Sequence, residues 1–292
     1  MNKEGLFLTE QSDSLHHSSL ANLQGEIATT NNSVRVYENS NTTSHVYGTL
    51  SKGTKVSIIE KSSGWYKIHY SETWRNAKRF DVEEYLNPNN HDIFQHLLLS
   101  SSTGVSAKEL NKVLIGKGIL EGKGQDFINA SNKHSVNEVY LIAHALLETG
   151  HGTSGLANGI EVGKDKNGNA VVVTGKNRNS LSDVRKVYNM FGIGAYDSCP
   201  ETCGATYAYN SKWFTPADAI TGGAQFVSSS YFARGQNTLY KMRWNYAYPN
   251  DQGGFPQYAT DVGWAVKQIY QIKNLYSKLN NPTMLYDIPR YK

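Results

Sequence analysis

The sequence predicts an α+β protein in which a small β-barrel precedes a mainly helical domain that carries an inserted β-hairpin lobe. Between residues 34 and 70, apolar and polar side chains alternate, which is the period of strands that bury one face. Farther along, the apolar period is helical, except for one β-prone stretch. We therefore divide the chain into a leader at 1–30, a β domain at 31–73 and a helical domain at 74–292.

Residues 1–30 are rich in Ser, Asn and Thr and show no periodicity, so we expect a flexible leader. Short β-prone runs then alternate with Gly and Ser turns, which predicts a barrel. The V-R-V, G-T-L-S-K-G-T-K-V and G-W-Y-K-I strings at 34–36, 48–56 and 64–68 resemble a bacterial SH3-like domain. The family's closing strand is missing, because residues 74–86 look helical. The barrel is therefore expected to be incomplete or to borrow a strand from the segment after it.

The most informative helix is the one that ends near Glu148. Ser135 and Glu138 have the spacing of a capping box, which predicts a helix start directly after Ser135. Apolar residues recur along one face, and Gly150 and Gly152 then end the helix. The helix dipole and desolvation would both favour a protonated carboxyl at Glu148, as a general acid requires. The alternative is an ordinary helix-end glutamate, solvated or paired with lysine.

A hairpin is predicted directly after this helix. Two β-prone runs, at 159–162 and 170–174, flank an Asn167-Gly168 turn. Helices are predicted on both sides, including one over 125–132 and a last one that starts at Asp261. A helical domain with one hairpin after the carboxylate helix is the lysozyme-like plan.

Four segments carry the most specific pattern of the chain: H-A-L-L-E-T-G at 144–150, Y-N-M-F-G-I-G-A-Y-D at 188–197, G-Q-N-T-L-Y-K-M-R-W-N at 235–245 and Q-Y-A-T-D at 257–261. In this order they resemble the family-73 glycoside hydrolases, the endo-β-N-acetylglucosaminidase domains of Gram-positive autolysins. The resemblance implies hydrolysis of the β-1,4 bond from N-acetylglucosamine to N-acetylmuramic acid in peptidoglycan, with Glu148 as general acid and without metal or cofactor. A muramidase, a lytic transglycosylase or a non-catalytic wall-binding protein are the alternatives.

Three groups compete for the second catalytic role. Glu161 starts the hairpin lobe, and Asp197 ends the second segment. An inverting enzyme would place one of them about 6.5–9.5 Å from Glu148, with room for a water. The third candidate is the 2-acetamido oxygen of the substrate itself.

Five further residues are expected to contact or order the substrate: Asn189, Phe191, Tyr196, Tyr258 and Thr260. The resemblance implies that the two tyrosines line the groove, while Phe191 helps to desolvate the acid and Asn189 orients it or a water. Phe191 and Asn189 also have plain structural interpretations, as core packing and as a local turn amide.

Bulk composition restricts the partners. The net charge is +4, no Lys/Arg tract suggests nucleic acid, and no apolar run is long enough to span a membrane. We expect a monomer that acts on peptidoglycan strands outside the cell or at the wall, with wall-peptide binding by the SH3-like domain. No signal peptide is visible at the N-terminus. Cys199 and Cys203 are compatible with a local disulfide or with two free thiols.

Overall fold

The computed structural model describes residues 6–9, 20–24, 27–70, 75–245 and 257–291. The chain divides into two compact units, Met1–Glu84 and Tyr85–Lys292. The expected boundary at residue 73 lies outside the described residues, and the division between the units falls within the helix α1 (Arg79–Leu86).

The first unit is built on an antiparallel sheet of seven strands. They are β1 (Leu6–Thr9), β2 (Leu20–Gln24), β3 (Ile27–Thr30), β4 (Val34–Tyr37), β5 (Val46–Leu50), β6 (Lys55–Ser62) and β7 (Trp65–His69). Their order in the sheet is β2-β3-β6-β7-β1-β4-β5. The alternation read from the sequence is confirmed, because Val34, Val36, Tyr66 and Ile68 are buried while Arg35 is exposed.

The flexible leader predicted over 1–30 is wrong for the described part of that segment. β1 lies between β4 and β7, with Phe7 opposite both Tyr37 and Lys67, and β3 pairs with β6. The additional strands thus come from before the predicted barrel and not from after it. The sequence signal was weak because β3 reads I-A-T-T, in which the buried positions are the small or polar Ala28 and Thr30.

The second unit is mainly helical, which confirms the predicted α+β class. Its helices are α2 (Ala107–Leu114), α3 (Gly124–His134), α4 (Glu138–Glu148), α5 (Gly155–Asn158), α6 (Pro200–Asn210), α7 (Pro216–Ser230), α8 (Leu239–Trp244) and α9 (Trp264–Tyr276). The short helix predicted over 125–132 corresponds to α3. The last helix begins at Trp264 and not at Asp261, whose carboxylate instead accepts the Gly263 N–H. No helix in the described ranges is long and apolar enough to cross a membrane.

The helix α4 occupies the centre of this unit and contacts α3, α7 and α9. Its predicted capping box is wrong. Asn137 caps the helix by accepting the Tyr140 N–H, and Ser135 has a left-handed φ of +50° at the end of α3. Glu138 is buried and accepts hydrogen bonds from Ser102, Thr103 and Ser131. A buried carboxylate needs such donors, so Glu138 anchors the preceding loop to the helix.

The hairpin predicted after α4 is confirmed and is part of a three-stranded sheet. Its strands are β8 (Ile160–Lys164), β9 (Ala170–Val172) and β10 (Ser182–Val187), in the order β10-β8-β9. Asp165 holds the turn by accepting the backbone N–H groups of Asn167 and Asn169. The strand β10 was missed because it reads S-D-V-R-K-V, is mostly exposed and pairs with a register shift.

Candidate active site

Glu148 is the last residue of α4, as predicted, and the chain turns sharply after it. Gly150 and Gly152 have φ values of +55° and +83°, which favour glycine. A Cβ atom on Gly152 would lie 2.0 Å from the Lys117 carbonyl oxygen, so only glycine fits against the neighbouring loop. Glycine therefore stops the helix at the point where Glu148 reaches the surface.

The carboxylate of Glu148 lies between a ring and a glycine turn. Its side chain is 38% exposed, and its Oε1 lies 3.5 Å from His144 Nε2. A Cβ atom on Gly192 would lie 3.4 Å from Glu148 Oε2, so the backbone of that turn borders the other oxygen. This position leaves the carboxyl open to a ligand on its remaining side.

His144 connects Glu148 to Tyr258. The Tyr258 hydroxyl lies 3.2 Å from His144 Nε2, and the imidazole packs edge-on against Phe191 with ring centroids 5.5 Å apart. Burial, and secondly the nearby Glu148 carboxylate, raise the pKa of Tyr258 far above its ordinary value. The phenol therefore keeps its proton and can donate a hydrogen bond to His144 Nε2.

Two cavities flank the His144–Tyr258 pair, and both residues line each of them. The α9 cavity, of about 200 Å³, is also lined by Tyr140, Ala143, Leu147, Glu148, Leu239, Trp264, Gln268, Gln271 and Ile272. The tyrosine cavity, of about 380 Å³, is also lined by Phe191, Gly192, Ile193, Gly194, Tyr196, Tyr207, Gly223, Phe226, Val227 and Tyr231. Among the described residues, Glu148 is the only carboxylate that lines either cavity.

Three of the five residues expected at the substrate do line these cavities. Tyr258 lies between them, Phe191 lies against His144, and Tyr196 is 67% exposed at the tyrosine cavity. The structure thus brings Tyr196 and Tyr258 to the same groove, although they are far apart in sequence.

The other two expected substrate residues, Asn189 and Thr260, line neither cavity. Asn189 is only 2% exposed, and its amide donates to the carbonyls of Ile193 and Gly204 while accepting the N–H groups of Phe191 and Ile193. It orders the turn beside Glu148 and has no capacity left to orient the acid.

The two candidate partners of Glu148 lie elsewhere. Glu161 is on β8, is 45% exposed and forms an ion pair with Arg178. Asp197 is exposed and directly precedes the N-terminus of α6. Neither residue lines the two cavities. The cysteines beside Asp197 are joined, with Cys199 and Cys203 forming a disulfide across the first turn of α6.

Arg243 has a role that the sequence did not reveal. Only 5% of the residue is exposed. Its guanidinium donates to the Asp261 carbonyl at 2.7 Å, the Gln257 side chain at 2.8 Å and the Thr260 carbonyl at 3.1 Å. Arg243 therefore shapes the backbone segment that carries Tyr258.

No group of three or more His, Cys, Asp or Glu side chains in the described ranges could hold a metal ion. The chemistry available at the site is that of one partly exposed carboxyl, a histidine–tyrosine pair and two adjoining cavities.

Comparison with known proteins assigns this unit to a family. Residues 124–277 match the glucosaminidase family, described as mannosyl-glycoprotein endo-beta-N-acetylglucosaminidase. The chain belongs to this family. Residues 32–79 match the bacterial SH3 domain, so the resemblance read from the sequence is confirmed for both parts.

Two relatives show the breadth of this glucosaminidase family. The chain is 47% identical over 257 residues to a beta-N-acetylglucosaminidase of Bacillus subtilis, which covers 85% of this chain and 26% of the relative. It is 46% identical over 199 residues to the bifunctional autolysin of Staphylococcus aureus, which covers 68% of this chain and 15% of the relative. The chain thus spans about a quarter or less of these relatives.

Solved structures of glucosaminidases share the fold. The major bifunctional autolysin matches with a TM-score of 0.59 at 40% identity, covering 76% of this chain and 86% of that one. A catalytic mutant of S. aureus autolysin E in complex with the disaccharide NAG-NAM matches with a TM-score of 0.55 at 32% identity, covering 80% and 88%.

Proposed function

We propose that this chain hydrolyses the β-1,4 bond from N-acetylglucosamine to N-acetylmuramic acid in peptidoglycan, with Glu148 as the general acid. The observation that carries the proposal is that Glu148 is the sole carboxylate lining the paired cavities among the described residues. Family membership supports the reaction class, and the NAG-NAM disaccharide bound by a related autolysin supports the substrate class.

In this mechanism Glu148 gives its proton to the glycosidic oxygen that leaves with the muramic acid ring. The departing charge is neutralised as the bond breaks, while the remaining ring becomes oxocarbenium-like. The Tyr258 hydroxyl, 3.2 Å from His144 Nε2, holds the imidazole in place beside Glu148.

The second group in the proposed mechanism is the 2-acetamido oxygen of the substrate. This choice is supported by the location of Glu161 and Asp197 outside both cavities. The acetamido oxygen forms a bond to the anomeric carbon as the bond to the leaving oxygen breaks. Water then adds to the anomeric carbon, releases the acetamido oxygen and returns a proton to the Glu148 carboxylate.

Product analysis on purified peptidoglycan tests the reaction. We expect new reducing ends on N-acetylglucosamine by mass spectrometry, formed with the anomeric configuration retained in a proton NMR time course. Reducing or anhydro muramic acid would contradict the bond assignment and identify a muramidase or a lytic transglycosylase. Inversion would contradict the acetamido step and return the second role to Glu161 or Asp197.

The first unit is assigned to wall binding. The match to the bacterial SH3 domain supports wall-peptide binding by residues 32–79, and the autolysin relatives support activity outside the cell or at its wall. The full-length Glu148→Gln variant should still sediment with insoluble walls while it no longer lyses them. Unchanged lysis by that variant would overturn the catalytic assignment and favour a non-catalytic wall-binding protein.

A further inference from the structure

We propose that the α9 cavity binds the N-acetyl group of the N-acetylglucosamine ring, and that Gln268 and Gln271 recognise its amide. The inference rests on the proposed function, because it assigns one ring of that substrate to one side of Glu148. It adds a specificity-determining pair that lies outside all four sequence segments that indicated the family.

The two glutamines form a pair of available carboxamides on α9. They are three positions apart, so they lie on the same side of the helix, and both line the cavity. Both are half-buried, and within the described residues neither side chain forms a hydrogen bond. Polar groups that are partly withdrawn from water and have no protein partner are well placed to bind a ligand.

The chemistry of the cavity matches both the amide and the methyl group of an acetamido substituent. A glutamine carboxamide oxygen can accept the hydrogen bond of the acetamido N–H, which leaves the acetamido oxygen available for the proposed attack on the anomeric carbon. Beside the amides, Trp264, Leu239 and Ile272 provide an apolar wall for the acetamido methyl group. The tyrosine cavity lacks this combination, since no carboxamide side chain among the described residues lines it.

Size and charge restrict the occupant further. A volume of about 200 Å³ lies below that of sites for drug-sized ligands, about 300–1,000 Å³, so the cavity holds one substituted sugar ring and not several. No lysine or arginine of the described ranges lines the cavity, whereas the Glu148 carboxyl does. The lactyl group of N-acetylmuramic acid ends either in a free carboxylate or in the stem peptide, and in this cavity it would meet no cation to bind the charge and no additional space for the peptide. The neutral ring, N-acetylglucosamine, therefore occupies the α9 cavity, and the muramic acid ring lies toward the tyrosine cavity.

Ligand binding to the inactive full chain tests this assignment apart from catalysis. In a Glu148→Gln background, calorimetry compares the tetramer of N-acetylglucosamine with the same tetramer after complete de-N-acetylation. Adding Gln268→Ala or Gln271→Ala should weaken binding of the acetylated tetramer about five- to tenfold each, the effect of losing one hydrogen bond. The acetylated-to-deacetylated affinity ratio should fall by the same factor. This ratio does not depend on how much of a variant is folded.

Gln225→Ala is the matched control, because Gln225 is exposed on α7 and lines neither cavity. It should leave the ratio unchanged. An unchanged ratio in both α9 variants overturns the proposal, as does absence of binding by the acetylated tetramer.

Hydrolysis of purified peptidoglycan by the same glutamine variants, with Glu148 intact, separates the two proposals. Slower hydrolysis at low substrate concentration supports the assignment, and an unchanged rate overturns it while the proposed function stands. If wild-type protein fails to hydrolyse the wall but the calorimetric ratio still depends on the glutamines, the proposed function fails and the assignment survives.

Discussion

Glu148 at the end of α4 and Glu161 on β8 are exposed to similar degrees, 38% and 45%, yet their surroundings differ. Glu161 lies on a mostly exposed sheet and is satisfied by Arg178. Glu148 meets an imidazole that is only 12% exposed and a glycine turn, and no Arg or Lys pairs with it among the described residues. Partners and neighbours, more than exposure, therefore distinguish a candidate acid from an ordinary surface carboxylate.

The largest difference between the two glutamates is expected in the effect of their substitution on kcat. Glu148→Gln should lower kcat by about a thousandfold or more, because the leaving oxygen then lacks a proton donor. Glu161→Gln and Asp197→Asn should each stay within about tenfold of wild type if the substrate supplies the second group. Steady-state hydrolysis of peptidoglycan measures all three. A loss in Glu161→Gln as large as that in Glu148→Gln would show that the hairpin lobe takes part in the chemistry.

The second test compares Arg243, which binds the segment around Tyr258, with Arg178, which pairs with Glu161. Arg243→Ala should destabilise the protein by about 3 kcal/mol, because it leaves three buried or half-buried acceptors near Tyr258 without a donor. Arg178→Ala, which removes only the exposed partner of Glu161, should cost less than about 1 kcal/mol. Urea unfolding monitors both. Equal losses would mean that the segment around Tyr258 does not depend on Arg243.

Alkaline pH provides the third test, through the buried phenol. The pKa of Tyr258 is raised in the folded state, so the folded protein holds this proton at pH values where the unfolded chain releases it. The stability this contributes is complete below 10.0, the ordinary value, and is lost as pH rises toward the folded value. Between the ordinary and the folded pKa of Tyr258, ionisation of this one residue can lower the free energy of unfolding by up to about 1.4 kcal/mol per pH unit. Above pH 10, the free energy of unfolding of Tyr258→Phe should therefore fall less steeply with pH than that of the wild type, as urea unfolding at several pH values would show. Equal slopes for the two proteins would contradict the burial of this hydroxyl.

A smaller effect is expected from two glycines with similar backbone strain, one beside Glu148 and one in the hairpin lobe. Gly192 and Gly168 have φ values of +63° and +82°, so alanine should cost about 1 kcal/mol at either position. Only at Gly192 would the new methyl group meet Glu148, since nothing lies within 4 Å of a Cβ on Gly168. Gly192→Ala should therefore reduce kcat as well as stability, whereas Gly168→Ala should reduce stability alone. Equal kcat values would show that the turn does not shape the space around the acid.

Local patterns in the sequence predicted the elements whose signals are local. The strands with Val34 and Tyr66 alternate cleanly, and the glycines after Glu148 end its helix as expected. Predictions failed where a residue's partner is distant in sequence. Glu138 has the spacing of a capping box but binds Ser102 and Thr103, and β1 is placed by pairing with strands far along the chain.

The α+β class, the position of Glu148 at a helix end and the family could all be read from the sequence, because apolar period, glycine and motif order are properties of neighbouring residues. Tertiary packing determined which groups surround the acid. It brought His144 to Tyr258, turned Asn189 inward and placed Gln268 on the cavity beside Glu148. These relations depend on how segments that are distant in sequence pack against each other. Such packing produces no periodic pattern in the sequence of either segment, so the sequence alone does not predict it.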